Sequence, residues 1–298
     1  MANKFGGPYT DKKVEKLAQY LGAFTTALKD RPFNLVFIDA FAGSGDRTTI
    51  RVSAPDFFGD GRKIITTAGS ARRALETSPP FKMNVFIEKD PELFKELQSV
   101  RAEFPDAKVE LINGDANKYV VRLCNRIDWN QPHGKLKGIR GVIFLDPFGM
   151  EINWNTLKVV AETRALDAWI FFPLMGLYRN SPHDRLALDD SKRKSITKVL
   201  GTPEWENDWY NHRPTGQQDM FEDMNPKNQT RSLDVDGIEA YVQDRLKTIF
   251  KGTVLKPLRI NNTRGSPIAS LFFCVSNESP AAVRVATDIA GHILKSGM

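Results

Sequence analysis

The chain has 298 residues, 41% hydrophobic and 26% charged, with a net charge of +6, enough for a sizeable core in one large domain. No apolar run approaches the roughly 20 residues of a membrane-spanning helix. Two cysteines, Cys124 and Cys274, exclude a disulfide framework or a CxxC metal site, and four histidines without HxxxH or HxH spacing leave no metal motif. The opening MANKFGGPYTDKK lacks the apolar stretch of a signal peptide, so a cytoplasmic address with no membrane and no metal is expected. The positive charge favours a polyanionic partner such as nucleic acid.

Residues 12–28 place Val14, Leu17, Leu21, Phe24 and Leu28 on one face of a helix. After Pro32 short apolar runs end in acidic or glycine residues: NLVFIDAFAG (34–43), KMNVFIEKD (82–90), KVELINGD (108–115) and GVIFLDP (141–147). They lack alternation, as strands covered on both faces do. Helical stretches follow at 70–77, 91–104, 116–127 and 154–163. The rhythm predicts an α/β fold, a mostly parallel, doubly wound sheet with right-handed crossovers. A fifth strand is expected at 166–174, followed by a polar stretch over 176–232 containing a helical piece at 190–201. The pattern resumes with a helix at 237–250, strands at 253–260 and 267–276 and a helix at 280–294. The short NNTRGS turn makes the last two strands an antiparallel pair at a sheet edge.

The strand ends carry the chemistry. In FIDAFAGSGD the loop glycines Gly43 and Gly45 let the backbone approach a ligand. Neither a Walker loop nor a GxGxxG turn is complete, since no GK[ST] follows and Thr48 stands in place of the third glycine. Glu88 at the second strand tip suits a pair of ribose hydroxyls, and Asp115 with Ala116 at the third suits an adenine amino group. Each carboxylate alone is also compatible with a helix cap. Together with Asp39, Phe41 and the glycine loop they point to adenosine. Asp39 would repel a pyrophosphate and attract an ammonium, which favours S-adenosyl-L-methionine and weakens a nicotinamide dehydrogenase reading.

At the fourth tip stands Asp146-Pro147-Phe148-Gly149. An exocyclic amine on a base is a poor nucleophile because its lone pair is delocalised. Asp146 and the Pro147 carbonyl can accept its N–H groups and aim that lone pair, while Phe148 stacks on the base. The competing reading is a strand-ending turn capping the next helix.

DPFG resembles the [DNS]-Pro-Pro-[YF] motif of amino-directed DNA and RNA methyltransferases, with the aromatic displaced by one place. The combination of FIDAFAGSG, GSARRAL, FIEKD, GDAN, VIFLDPFGMEINWNTL, ALDAWIFFPL with YRN, and RGSPIASLFF is similar to the bacterial three-Cys-motif partner family over nearly the whole chain. That resemblance implies a Rossmann-like class I methyltransferase fold spanning 1–298 as one domain, with 176–232 as an insertion after the fifth strand. It implies Asp39, Gly43, Gly45, Glu88 and Asp115 around the cofactor and Asp146, Pro147 and Phe148 at the acceptor. A three-cysteine-motif protein becomes a possible partner. The expected activity is methyl transfer to an exocyclic amine in DNA or RNA; the alternative is a cofactor-binding partner subunit that does not catalyse.

Two segments are left over. The distance from Asp39 to Glu88 far exceeds the roughly 20 residues expected between glycine loop and ribose acid, so 46–68 is expected to form an extra loop over the cofactor. Phe172, Pro173 and Arg179 are candidates for the substrate side. In the insertion, Lys192–Lys194 with Trp205, Trp209 and Tyr210 suggest cations and rings for a nucleic acid, although Glu204, Glu206 and Asp208 interrupt them.

Overall fold

A computed structural model describes residues 8–52, 62–212, 229–262 and 265–295, with side chains from 12–46, 67–210, 229–262 and 265–295. In chain order it contains α1 (Pro8–Leu28), β1 (Asn34–Asp39), β2 (Asp46–Val52), β3 (Arg62–Ala68), α2 (Ser70–Leu75), β4 (Met83–Glu88), α3 (Pro91–Ala102), β5 (Val109–Asn113), α4 (Ala116–Arg126), β6 (Ile139–Leu145), α5 (Trp154–Glu162) and β7 (Leu166–Phe172). Then come α6 (Leu174–Asn180), a 3-10 turn (Arg185–Ala187), α7 (Asp190–Leu200), α8 (Trp205–Trp209), β8 (Tyr210–His212), β9 (Gln229–Arg231), α9 (Val235–Ile249), β10 (Thr253–Val254), β11 (Leu258–Asn261), β12 (Pro267–Val275) and α10 (Pro280–Lys295).

The main sheet runs β10-β12-β7-β6-β1-β4-β5, with β11 also paired to β12. Strands β5, β4, β1, β6 and β7 are parallel, and β12 joins β7 antiparallel. This is the expected Rossmann-like arrangement with a late antiparallel edge. The stretch read as one strand at 253–260 is divided: β10 and β11 pair with opposite ends of β12, separated by a segment containing Pro257, which lacks a ladder donor.

Both sheet faces are covered, and alternate residues of each central strand feed two separate cores. Phe37, Phe86, Val142, Phe144, Trp169 and Phe273 face α1, α2, α3 and α10. Ile38, Ile87, Ile143, Leu145, Ile170 and Phe172 face the other side. Helix α1 buries Val14, Leu17, Leu21 and Phe24 of the predicted stripe together with Tyr20, while Leu28 at its end is half-buried. On the second face the inserted segment joins α4, α5 and α9 through Leu188, Ile196, Val199, Trp205 and Trp209. The described part of the insertion is therefore built into the core, which the polar sequence of 176–232 did not suggest.

The segment between the glycine loop and α2 is corrected as well. Where a loop was expected over 46–68, β2 and β3 form an antiparallel hairpin from Asp46↔Ala68 to Val52↔Arg62; residues 53–61 lie outside the described residues. Arg72 anchors its base, donating from Nε to Asp46 Oδ1 at 2.6 Å.

Chain order places the site. From β1 the chain moves to β4 and β5 on one side, then returns to β6 and β7 on the other, so direction reverses at β1. The carboxyl ends of strands around such a reversal are where open α/β sheets bind ligands.

Candidate active site at the strand tips

Asp39 pairs in register with Phe86 of β4 and Phe144 of β6, so Glu88 and Asp146 each lie the same short step beyond its two neighbours. Asp39 is fully buried. Its Oδ1 accepts from the Phe41 N–H at 3.2 Å, while Oδ2 is buried with no hydrogen-bond partner. Burial pushes the carboxyl up to about 7; the Ser70 hydroxyl and Phe41 amide oppose this, and the charges of Asp146 and Glu88 add to it. A buried carboxylate oxygen without a donor is costly.

Glu88 organises the loop beside it. Its Oε2 accepts from the Gly43 N–H at 2.9 Å and its Oε1 from the Asp90 N–H at 2.7 Å. The Ala42 N–H also donates to the Ile87 carbonyl at 3.0 Å, so the glycine loop is fastened to the tip of β4. Gly43 (φ +60°) and Gly45 (φ +80°) both adopt backbone that favours glycine. Their surroundings differ: a Cβ on Gly45 would lie 3.0 Å from Leu97 Cδ1, whereas one on Gly43 would meet nothing within 4 Å.

Asp115 is exposed and caps α4, accepting from the Lys118 N–H at 2.9 Å, with Ala116 buried behind it. The cap reading of this residue is thus observed, and one carboxylate oxygen serves it. Next to it Asn117, which the sequence reading passed over, clamps the chain after the DPFG turn. Its Oδ1 accepts from the Asn153 N–H at 2.9 Å and the Thr156 hydroxyl at 2.7 Å, and its Nδ2 donates to the Glu151 carbonyl at 2.9 Å.

In the turn itself Pro147 is buried, Phe148 is 67% exposed and Gly149 has φ +56°. Asp146 is held from an unexpected direction. Lys13 of α1 donates from Nζ to both carboxylate oxygens, at 2.6 and 2.5 Å, and lies 4.0 Å from the centre of the Phe171 ring. Lys13 was missed because nothing in its local sequence marks it; its only signal is a lysine interrupting the buried side of an amphipathic helix.

Phe172 points the other way, fully buried with its ring 6.1 Å from that of Phe272, so its side chain belongs to the core and Phe171 faces Lys13. Pro173 is buried at the start of α6, and Arg179 is exposed in its last turn. Trp205, Trp209 and Tyr210, read as stacking rings, are corrected to core: they are 1%, 0% and 3% exposed. The acidic residues among them have structural work, for Glu206 accepts from Arg185 Nε and Arg193 Nε, each at 2.9 Å, and Asp208 from the Tyr241 hydroxyl at 2.9 Å. Cys124 and Cys274 are buried free thiols, and burial pushes Cys124 up to about 12. Among the described residues no group of His, Cys, Asp and Glu could hold a metal ion, and no helix is long and apolar enough to cross a membrane.

No family model and no curated protein matches the sequence. Among solved structures the chain is similar to protein LPL1258 of Legionella pneumophila, with TM-score 0.52, 12% identity and coverage of 98% of this chain and 95% of that one. That likeness is one of fold. Lower similarity links it to Trm1 of Pyrococcus horikoshii in complex with S-adenosyl-L-methionine, at TM-score 0.41 and 10% identity over 97% of this chain and 61% of Trm1. A third is an S-adenosylmethionine-dependent methyltransferase of Clostridium acetobutylicum, at TM-score 0.36 and 10% identity over 88% of this chain and 91% of that one.

Proposed function

We propose that the protein is an S-adenosyl-L-methionine-dependent methyltransferase that modifies an exocyclic amine of a nucleobase in DNA or RNA. The observation that carries this reading is the buried, unpartnered Oδ2 of Asp39 beside a glycine loop left open at Gly43, with Glu88 and Asp146 on the two adjoining strand tips. The residues fit the cofactor: Asp39 would pair with its ammonium, the carboxylate of Glu88 has lone pairs beyond its two backbone donors for ribose hydroxyls, and Asp115 has an oxygen for the adenine amino group. Gly45 and Phe41 shape the loop, and Ala116 lies behind Asp115. When bound, the cofactor supplies a methyl group activated by a positively charged sulfur.

The chain's own residues do the orienting. Asp146 and the Pro147 carbonyl accept the acceptor's N–H groups, and the exposed ring of Phe148 stacks on its base. The nitrogen loses its proton to solvent, because an alkylated cationic amine of this kind is strongly acidic. Pro173 and Arg179 lie on the substrate side, Arg179 as a phosphate contact. Labelled methyl transfer to total RNA and to genomic DNA from cells lacking the gene tests the reading. Asp146→Ala should cut transfer by about a hundredfold or more while cofactor affinity stays within a few fold; equal loss of both would assign Asp146 a structural role.

A second reading is a cofactor-binding subunit that methylates nothing by itself and acts beside a three-cysteine-motif protein. The Lys13–Asp146 pair favours it, since the acceptor's carboxylate is already engaged. Transfer that appears only after the partner is added would select this reading.

A further inference from the structure

Arg231 of β9 lays its guanidinium over the Tyr178 ring, with the central carbon 3.8 Å from the ring centre. Its Nε and Nη1 are buried, and neither has a hydrogen-bond partner among the described residues. Arginine stays charged in proteins, and a charge drawn out of water without a counterion is costly. Stacking on a ring engages the flat face of the group and none of its edge donors.

The backbone fixes this residue in place. The Arg231 N–H donates to the His183 carbonyl at 2.8 Å, the Ser232 N–H donates to the Trp209 carbonyl at 2.8 Å, and Arg231 pairs in register with Tyr210. Nearby acids are engaged elsewhere: Glu206 accepts from both Arg185 and Arg193, Asp190 from Arg193 at 3.2 Å, and Asp208 from Tyr241. Burial pushes the Tyr210 hydroxyl up to about 12; the charges of Arg231, Arg185 and Arg193 oppose that rise and Glu206 adds to it. These four charges thus gather about one ring, and Arg231 is the cation whose buried donors stay unused.

The position adjoins the acceptor side. Tyr178 belongs to α6, which starts at the tip of β7. Met150, the first residue after the DPFG turn, packs on the same helix: Asn180 Nδ2 donates to its sulfur at 3.3 Å, and a Cβ on Gly176 would lie 2.9 Å from its Cγ. Gly176 and Asn180 share one face of α6, and Tyr178, two residues from each, lies on the other. Arg231 is therefore about one helix width, roughly 10 Å, from the turn that presents the acceptor. That is too far to touch the acceptor base and equals a few nucleotide steps of about 3.4 Å along a strand.

Resting on the reading that the DPFG turn receives a base of DNA or RNA, we propose that Arg231, stacked on Tyr178, is a phosphate-binding site for a phosphodiester of the same strand, a few nucleotides from the methylated base. The planar fork of donors matches phosphate oxygens. Arg231 as a whole is half-buried rather than sealed, which leaves it open to such a ligand.

The test measures binding of a labelled mixed-sequence strand, as single-stranded DNA and as RNA, to wild type, Arg231→Gln and Arg231→Lys over about 50 to 200 mM salt. On whichever strand the wild type binds, Arg231→Gln should reduce the steepness of log K against log salt by about 0.7, the share of one phosphate contact. Arg231→Lys, which keeps the charge, should keep the slope. The melting temperature of ligand-free Arg231→Gln should stay within about 2 °C of wild type, because no hydrogen bond is lost. An unchanged slope overturns the proposal, and with a clear fall in melting temperature it assigns Arg231 to holding Tyr178. A wild type that binds neither strand overturns it as well. Calorimetry with S-adenosyl-L-methionine separates the two readings: a reduced slope in a protein that binds no cofactor keeps the phosphate site and removes the methyltransferase. If Arg231→Gln does not fold, Arg231→Met carries the same prediction.

Discussion

The two halves of the site are held in different ways. On the cofactor side the carboxylates are fixed by nearby backbone: Glu88 by the N–H groups of Gly43 and Asp90, Asp39 by that of Phe41. On the acceptor side the geometry depends on side chains from remote elements: Asp146 is held by Lys13 of α1, and the chain after the DPFG turn is held by Asn117 of α4. Backbone donors cannot leave without unfolding the loop, whereas a lysine can exchange partners. Under the proposed reading, the contrast suits a cofactor half that stays fixed and an acceptor half whose side chains can rearrange.

Substitutions should separate the halves. The largest loss is expected on the acceptor side: Asn117→Ala removes a side chain bonded to Asn153, Thr156 and Glu151 and strands backbone groups, costing about 2–3 kcal/mol. Urea unfolding should show that cost, transfer should fall further, and cofactor affinity should stay within a few fold. Parallel losses of affinity and transfer would merge the two halves into one unit. Next in size is Gly45→Ala, where the positive φ and the 3.0 Å approach to Leu97 predict about 1–3 kcal/mol of destabilisation. Gly43→Ala should cost only about 1 kcal/mol of backbone strain because its surroundings are open, yet weaken cofactor binding by more than that strain implies. If the two glycines behave alike, the space at Gly43 is not the ligand's.

How far the sequence revealed this follows the same division. Asp39, Glu88 and the glycine loop are contiguous with the strands that carry them, so local pattern was enough to put them at the ends of strands in a mostly parallel sheet. Asp146 was visible because proline and glycine mark its turn. Lys13 and Asn117 were not, since their roles arise from contacts between elements far apart in sequence, and a lysine or asparagine on a helix has no local signature. Trp205 and Trp209 misled for a related reason. Polar neighbours such as Glu206 suggested a surface, but those acids accept from Arg185 and Arg193 while the tryptophans turn inward. The hairpin of β2 and β3 was hidden because DRTTIRV has little apolar alternation.

Burial also makes the chain sensitive to pH at both ends of the sheet: Asp39 at the tip of β1 and Asp167 at the start of β7, which accepts from the Tyr20 hydroxyl, are both pushed up to about 7. From the ordinary carboxylate range to about 7 the folded chain binds protons that the unfolded chain does not, so the stability of the ligand-free protein falls as pH rises through that window and levels off above it. A bound ammonium would reverse the local preference at Asp39 by favouring its charged form.

The most direct test is therefore calorimetric titration of S-adenosyl-L-methionine into wild type and Asp39→Asn between about pH 5.5 and 8.5, a window that brackets the raised carboxyl. The wild type should bind one equivalent, with affinity that climbs relative to the variant as pH passes about 7, and Asp39→Asn should bind at least about tenfold more weakly at the alkaline end, where one lost charge contact is worth about 1.4 kcal/mol. No heat of binding in the wild type, or matching curves for the two proteins, would contradict the assignment of the strand tips to this cofactor.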